Sequence, residues 1–133
     1  MNYGISKHDM LSNYFNFKLQ YAAAEDCTTA TGWTDVGAKG SAEIWRLYDN
    51  AGLADSVTQV NQISTSTAGA EGLYSEVIPT SNNPTAVDKD TSQVSEWDWP
   101  IENNGASNNT SYCCRMVEGA DYLFTTYNAD GYP

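Results

Sequence analysis

One histidine, six basic side chains and no apolar run long enough to cross a bilayer are the scarcities that first bound this 133-residue chain. With His8 as the only imidazole, a serine or cysteine hydrolase that moves its proton through histidine would depend on that one residue. His8 sits in a polar N-terminal stretch far along the chain from any cysteine, and it reads as exposed or locally hydrogen-bonded. The shortage of cations has a larger consequence. Six Lys and Arg face 17 Asp and Glu, for a formal net charge of -11. Such a surface repels phosphate backbones and anionic headgroups, so nucleic acid and membrane surfaces are poor partners. No stretch approaches the roughly 20 apolar residues of a membrane-spanning helix.

Motifs are scarce too. There is no GxSxG elbow, no HExxH helix and no phosphate-cradling GxxxxGK[ST]; Gly37-Ala38-Lys39-Gly40-Ser41 is a turn rather than a P-loop. The N-terminal residues Met1-Asn2-Tyr3-Gly4-Ile5-Ser6-Lys7-His8 contain no apolar signal core. The expectation is therefore a cytosolic chain or a processed piece of a larger exported protein, and not a type IV pilin. Helical periodicity is nearly missing; the best helical candidates are the short segments Ser6–Asn13 and Ala54–Gln62.

Alternation is what remains, and it is plentiful. In Phe15–Ala22 the residues Phe15, Phe17, Leu19 and Tyr21 fall on one face, with Asn16, Lys18 and Gln20 on the other. Short strands are expected at Trp33–Val36, Ala42–Tyr48 and Leu73–Ile78, with one around Val60–Ser64 in an irregular Ser- and Thr-rich excursion. Thr80–Asp90 reads as polar loop. Val94–Ile101 alternates again, with Trp97 and Trp99 on one face and Glu96 and Asp98 on the other, wet face. Thr110–Val117 and Tyr122–Tyr127 read as paired strands joined by a Glu-Gly-Ala-Asp turn. The fold class is all-β: a two-sheet antiparallel sandwich of about seven strands with long loops.

The three cysteines make an odd count. Neighbouring cysteines rarely bond to each other, so the expected bridge joins Cys27 to Cys113 or to Cys114, clamping strands far apart in sequence. Closing so long a loop stabilises by roughly 4.5 kcal/mol on the chain-entropy model. Three reduced thiols in the cytosol is the other reading. Zinc is disfavoured, because Cys113-Cys114 lacks a spacer and has no histidine partners nearby. No metal or other cofactor is expected, although Asp49, Asn50 and Asp55, and separately Asp88 and Asp90, supply hard oxygen ligands of the kind calcium takes. Their spacing does not match an EF-hand, and turn formation is the expected role. Glu96 and Asp98 form the one carboxylate pair that a glycosidase reading could use; no catalytic residue is assigned. Trp33, Trp45, Trp97 and Trp99 are read as core aromatics rather than a sugar-stacking platform. Asn108-Asn109-Thr110-Ser111 holds two overlapping N-glycosylation sequons, at Asn108 and Asn109.

The order of several short motifs resembles a known domain type. Phe17-Lys18-Leu19-Gln20-Tyr21-Ala22, Cys27 and Gly32-Trp33-Thr34-Asp35-Val36 open it. Trp45-Arg46-Leu47-Tyr48-Asp49, Gly52-Leu53-Ala54-Asp55, Glu96-Trp97-Asp98-Trp99, Thr110-Ser111-Tyr112-Cys113, Arg115-Met116-Val117, Tyr127 and Tyr132-Pro133 continue it. Together they resemble a repeated fibronectin-III- or immunoglobulin-like β-sandwich domain of large predicted surface proteins of candidate-phyla bacteria. The resemblance implies tandem, non-catalytic modules and matches Cys27 with Cys113. Cys114 stands where that pattern usually has an apolar residue such as Phe. Residues 15–133 would then be the sandwich domain and residues 1–14 an N-terminal extension or inter-subunit contact segment. The function expected is an extracellular structural protein, the building block of a cell-surface, pilus-like filament or array assembled head to tail by strand exchange. The alternative is a carbohydrate-binding or adhesive module with a glycan partner.

Overall fold

A computed structural model describes residues 2–4, 16–59, 72–77, 79–82 and 94–119. The expected elements Ser6–Asn13, Val60–Ser64 and Tyr122–Tyr127 lie outside the described residues, as do His8, Asp88 and Asp90. Within them the chain is all β, arranged as open sheets of mixed direction. In chain order the strands are β1 (Asn2–Gly4), β2 (Asn16–Ala23), β3 (Thr34–Asp35), β4 (Trp45–Leu47) and β5 (Val57–Gln59). They continue with β6 (Gly72–Tyr74), β7 (Thr80–Asn82), β8 (Val94–Asp98), β9 (Ile101–Asn103) and β10 (Tyr112–Glu118).

β2 is the longest strand and the organising one. Along one edge it takes the whole of β10, antiparallel, from Tyr112 opposite Ala23 to Glu118 opposite Phe17. Its other edge is shared end to end by two short strands: β7 pairs with Asn16–Lys18 and β3 with Gln20–Tyr21. Between them Leu19 accepts a hydrogen bond from Val36 N–H at 2.9 Å. Both edges are thus filled, and so are both faces. Phe17, Leu19 and Tyr21 enter the core as alternation predicts, but Lys18 and Gln20, expected in water, are only 7% and 5% exposed.

A second sheet runs in the order β1-β8-β6-β5. Its pairing of β6 with β8 is parallel, Leu73 opposite Trp97, whereas antiparallel sheets were expected. The chain between Tyr74 and Val94 is long enough for the crossover that a parallel pair requires. Gly72 permits this pairing: a Cβ there would land on the carbonyl oxygen of Glu96. Asn2–Gly4, from the segment set apart as residues 1–14, forms an edge strand of this sheet, with Asn2 opposite Glu96. Flanked by β1 and β6, Glu96 is 7% exposed, so the wet face read for Glu96 and Asp98 holds only for Asp98.

A small two-stranded antiparallel sheet, β4 with β9, completes the described structure. It hangs on β3 through Gly37, which donates to Trp45 O and accepts from Leu47 N–H, both at 2.9 Å. Pro100, with no N–H to give, separates β8 from β9, so the single strand expected over Val94–Ile101 is two. Two further expectations are corrected by pairing. Ala54–Gln62, a helical candidate, contains β5, held antiparallel to β6, and the polar loop over Thr80–Asp90 begins with β7. Neither strand alternates clearly, and each exists because a neighbour offers it a backbone edge.

One core joins these sheets. It gathers Phe17, Leu19 and Tyr21 of β2, Met116 of β10, Val36, Leu47, Leu73, Trp97 and Trp99. Phe17 meets Trp97 edge-on with ring centroids 4.9 Å apart, and Trp97 stacks on Trp99 at 5.7 Å. Replacing Trp97 by Ala should cost about 3–5 kcal/mol. Gly72→Ala should cost at least about 3 kcal/mol by forcing β6 from β8, whereas Tyr48→Ala, at an exposed ring, should stay within about 0.5 kcal/mol. Urea unfolding midpoints of the three variants check this; a Gly72→Ala protein as stable as the parent would refute the close backbone approach.

Candidate functional site

The register of β2 with β10 sorts the two neighbouring cysteines. Cys114 stands opposite Tyr21 and Cys113 opposite Ala22. Because side chains alternate, Cys114 lies on the face of Tyr21, Leu19 and Met116, while Cys113 lies on the opposite face with Gln20 and Arg115. That opposite face is roofed by the loop from Ala24 to Gly32. Ala24 N–H donates to Ser111 O at 3.0 Å, tying the loop to the start of β10. Asp26 then turns the chain, its Oδ1 accepting from both N–H and Oγ1 of Thr28 at 2.8 Å. The hydroxyl and then the N–H of Thr28 hold the Asp26 carboxyl below its usual range. The turn delivers Cys27 onto Cys113, and the two form a disulfide across a sequence separation of 86.

The bridge therefore pins a loop onto the outside of one sheet. The expected Cys27–Cys113 pairing is the one formed, but it joins a loop to a strand where a clamp between two strands was expected. Cys114 is left as a free, exposed thiol. Partial desolvation raises its pKa, and it lies on the face of the sheet opposite the disulfide.

Beside the disulfide a polar ladder crosses three strands. Arg115 donates from Nε and from a terminal nitrogen to Gln20 Oε1, at 2.9 and 2.7 Å. Gln20 passes the connection on by donating its Nε2 to Asp35 Oδ1 at 2.8 Å. Lys18 Nζ reaches the other oxygen, Asp35 Oδ2, at 2.7 Å. A glutamine amide has an acceptor at one end and a donor at the other, so it can link a cation to a carboxylate where a charged residue could not. The Arg115 guanidinium also lies 4.2 Å from the ring centre of Trp33, which is anchored by its own N–H to Ala30 O at 3.0 Å. Cation, amide, carboxylate and aromatic lid thus satisfy one another, with Lys18 and Gln20 buried and Asp35 at the solvent edge.

The other residues singled out from sequence fall elsewhere. Asp49 pairs with Lys39, and this contact holds the lysine above its usual value. Asn50 closes a turn by accepting Gly52 N–H at 3.2 Å. Burial pushes Asp55 up, but the N–H groups of Glu76 and Val77 at 2.8 and 3.1 Å and the Ser56 hydroxyl outweigh it and hold the carboxyl low. All three calcium candidates are engaged by the chain itself, and among the described residues no group of three or more His, Cys, Asp or Glu comes together as metal ligands. Glu76, 3% exposed, accepts from Asn50 N–H at 2.8 Å and Tyr74 Oη–H at 2.9 Å. Burial, then this hydrogen bond, pushes Tyr74 up to about 12. Trp97 and Trp99 are buried in the core; Trp45 is half-buried against it beside Tyr112, and Trp33 lies on the outer face rather than in the core. Asn108 and Asn109 form an exposed turn before β10.

What this region can do is hold: a covalent clamp and an ionic ladder fix a loop to a sheet. Sequence reasoning found Cys27 and Cys113 but missed Gln20, Asp35, Arg115 and the Tyr74–Glu76 pair. The short motifs that contain Gln20, Asp35 and Arg115 do not tell that these side chains meet, and local alternation assigned Lys18 and Gln20 to water. No family model matches the chain, and no curated protein or solved structure is significantly similar to it.

Replacing Cys27 or Cys113 by Ser should each cost roughly 4.5 kcal/mol on the loop-entropy model, while Cys114→Ser should stay within about 0.5 kcal/mol. Denaturant titrations of the three oxidised variants test the pairing, and an equal loss in Cys114→Ser would overturn it. Tyr74 gives a pH prediction. Its folded value exceeds its unfolded 10.0, so the fold favours the protonated phenol. That contribution is intact below pH 10 and is lost as pH rises toward about 12. Tyr74→Phe should lose about 1–3 kcal/mol at neutral pH by leaving the buried Glu76 carboxylate with the Asn50 N–H but no phenol donor. Its stability should also fall less steeply than that of the parent above pH 10. Urea unfolding from pH 7 to 11 checks both.

Proposed function

We propose that the chain is a non-catalytic, exported structural module, an immunoglobulin- or fibronectin-III-like β-sandwich that joins copies of itself into a cell-surface filament or array. The observation that carries this reading is the Cys27–Cys113 disulfide, which pins a surface loop in a chain already equipped with a shared core. Disulfides persist in oxidising compartments, and a covalent pin on an outer loop suits a protein that must withstand conditions outside the cell. Among the described residues no helix is long and apolar enough to cross a membrane. The core shared by facing sheets supports the sandwich reading.

Head-to-tail growth has a structural candidate in β1. It contributes only Asn2–Gly4 to the edge of β8, and residues 5–15 separate it from β2. A short edge strand on a long connection can pair with β8 of its own chain or, in the same register, with β8 of another. Repeating the second choice generates an open chain of subunits.

The rival, a sugar-binding module, needs at least two exposed tryptophans on one rim. Trp97 and Trp99 are buried, and one face of half-buried Trp33 is occupied by Arg115. Nothing in this arrangement favours a glycan platform.

Negative-stain electron microscopy of the full chain, paired with light scattering across concentration, tests the assembly. Filaments are expected, and they should survive reductant because the disulfide lies within subunits. A chain lacking residues 1–14 should remain monomeric. Monomers alone at every concentration of the full chain would overturn the reading.

A further inference from the structure

The loop before β10 holds a chemical feature that assembly does not use. Its two ends are fastened. On one side Asn103 Oδ1 accepts the N–H groups of Gly105 and Ala106 at 2.8 and 2.7 Å. Ser107 N–H then donates to the Tyr112 hydroxyl at 3.3 Å, which closes the base of the loop. Between these ties Asn108, Asn109 and Thr110 are exposed, and among the described residues none of their side chains has a hydrogen-bond partner.

The two overlapping sequons, equivalent as sequence, differ here. An oligosaccharyltransferase reads an amide at the first position and a hydroxyl at the third, on backbone that must leave the surface to enter its groove. For Asn108 the third residue is Thr110, whose hydroxyl is free and exposed. For Asn109 it is Ser111, whose hydroxyl donates to Glu25 Oε2 at 3.1 Å and whose carbonyl accepts Ala24 N–H at 3.0 Å. Ser111 is also two residues from the disulfide-bonded Cys113, so the second sequon is anchored to the clamped face. Asn109 stands in the left-handed region, with φ of 60°, but belongs to both sequons, so it is the tied Ser111 that separates them.

We propose that Asn108 is an N-glycan acceptor and that Asn109, in the folded chain, is not. This rests on the export reading above, since the glycan donor is a lipid-linked oligosaccharide met during or after export. In the transfer, Nδ2 of Asn108 attacks the anomeric carbon of the donor sugar. The new N–C bond replaces the C–O bond to the lipid pyrophosphate, which leaves with the electron pair, and the amide nitrogen gives up one proton to the enzyme. A glycan on this exposed loop would lie near the Cys27–Cys113 clamp, to which Ser111 is tied through Ala24 and Glu25.

The test uses the purified, oxidised full chain with a lipid-linked oligosaccharide and a single-subunit oligosaccharyltransferase that reads the plain three-residue sequon. Intact mass and peptide mapping report the product. One glycan per chain is expected, on Asn108. Transfer should fall at least about tenfold in Asn108→Gln and Thr110→Val and persist in Asn109→Gln and Ser111→Ala. Modification that maps to Asn109 or survives Asn108→Gln would overturn the proposal. So would a folded chain that accepts no glycan while a free peptide of residues 106–112 does. Because the oxidised protein is supplied directly, these outcomes do not depend on where the chain resides in its cell. Export is read separately, from the disulfide state of native material.

Discussion

The described structure is organised by the enclosure of β2, which is buried from Phe17 to Ala22. A strand with both edges paired and both faces covered has no freedom to slip, since a shift of one residue would exchange Phe17, Leu19 and Tyr21 with Lys18 and Gln20. Such a slip would bury charge in the core and leave aromatic rings among the ladder residues. The register of β10, and so the placement of Cys113 and Cys114, follows from that constraint.

Enclosing the second face required a solution for two long polar side chains. Burying an ammonium or an amide without partners is costly, and the chain meets this by giving each a partner on a neighbouring strand. Asp35 on β3 answers Lys18 and one end of Gln20, and Arg115 on β10 answers the other end. The ladder thereby reports correct pairing of three strands at once. The disulfide beside it extends the same logic to the loop, which has few apolar contacts of its own to hold it. Covalent closure removes the option of lifting off, and Trp33 is held in place as the lid over Arg115.

The acidic surface is less idle than a solvated face would be. Asp26, Asn50, Asp55 and Asn103 each accept backbone N–H groups at turns, and Glu76 does so from within the protein. Loops lacking secondary structure must find acceptors for their amides somewhere. Short carboxylate and amide side chains supply them here, which also explains why the residues that looked like calcium ligands are already occupied.

The sequence by itself determined what depends on near neighbours along the chain. β character, the apolar stripe of Phe17, Leu19 and Tyr21, the paired placement of Trp97 and Trp99, the turn at Asp49–Gly52 and the involvement of Cys27 in a bridge were all legible there. Alternation and turn chemistry are local, and each residue carries its share of the signal. The tertiary structure alone decided which of two adjacent cysteines bonds, that Lys18, Gln20 and Glu96 are buried, that β6 meets β8 in parallel, and that Val57–Gln59 and Thr80–Asn82 are strands at all. It also decided that Trp33 covers an arginine instead of filling the core. Each of these depends on what another, distant segment places opposite, and hydrophobic period records which side of a strand is apolar without recording what covers the other side.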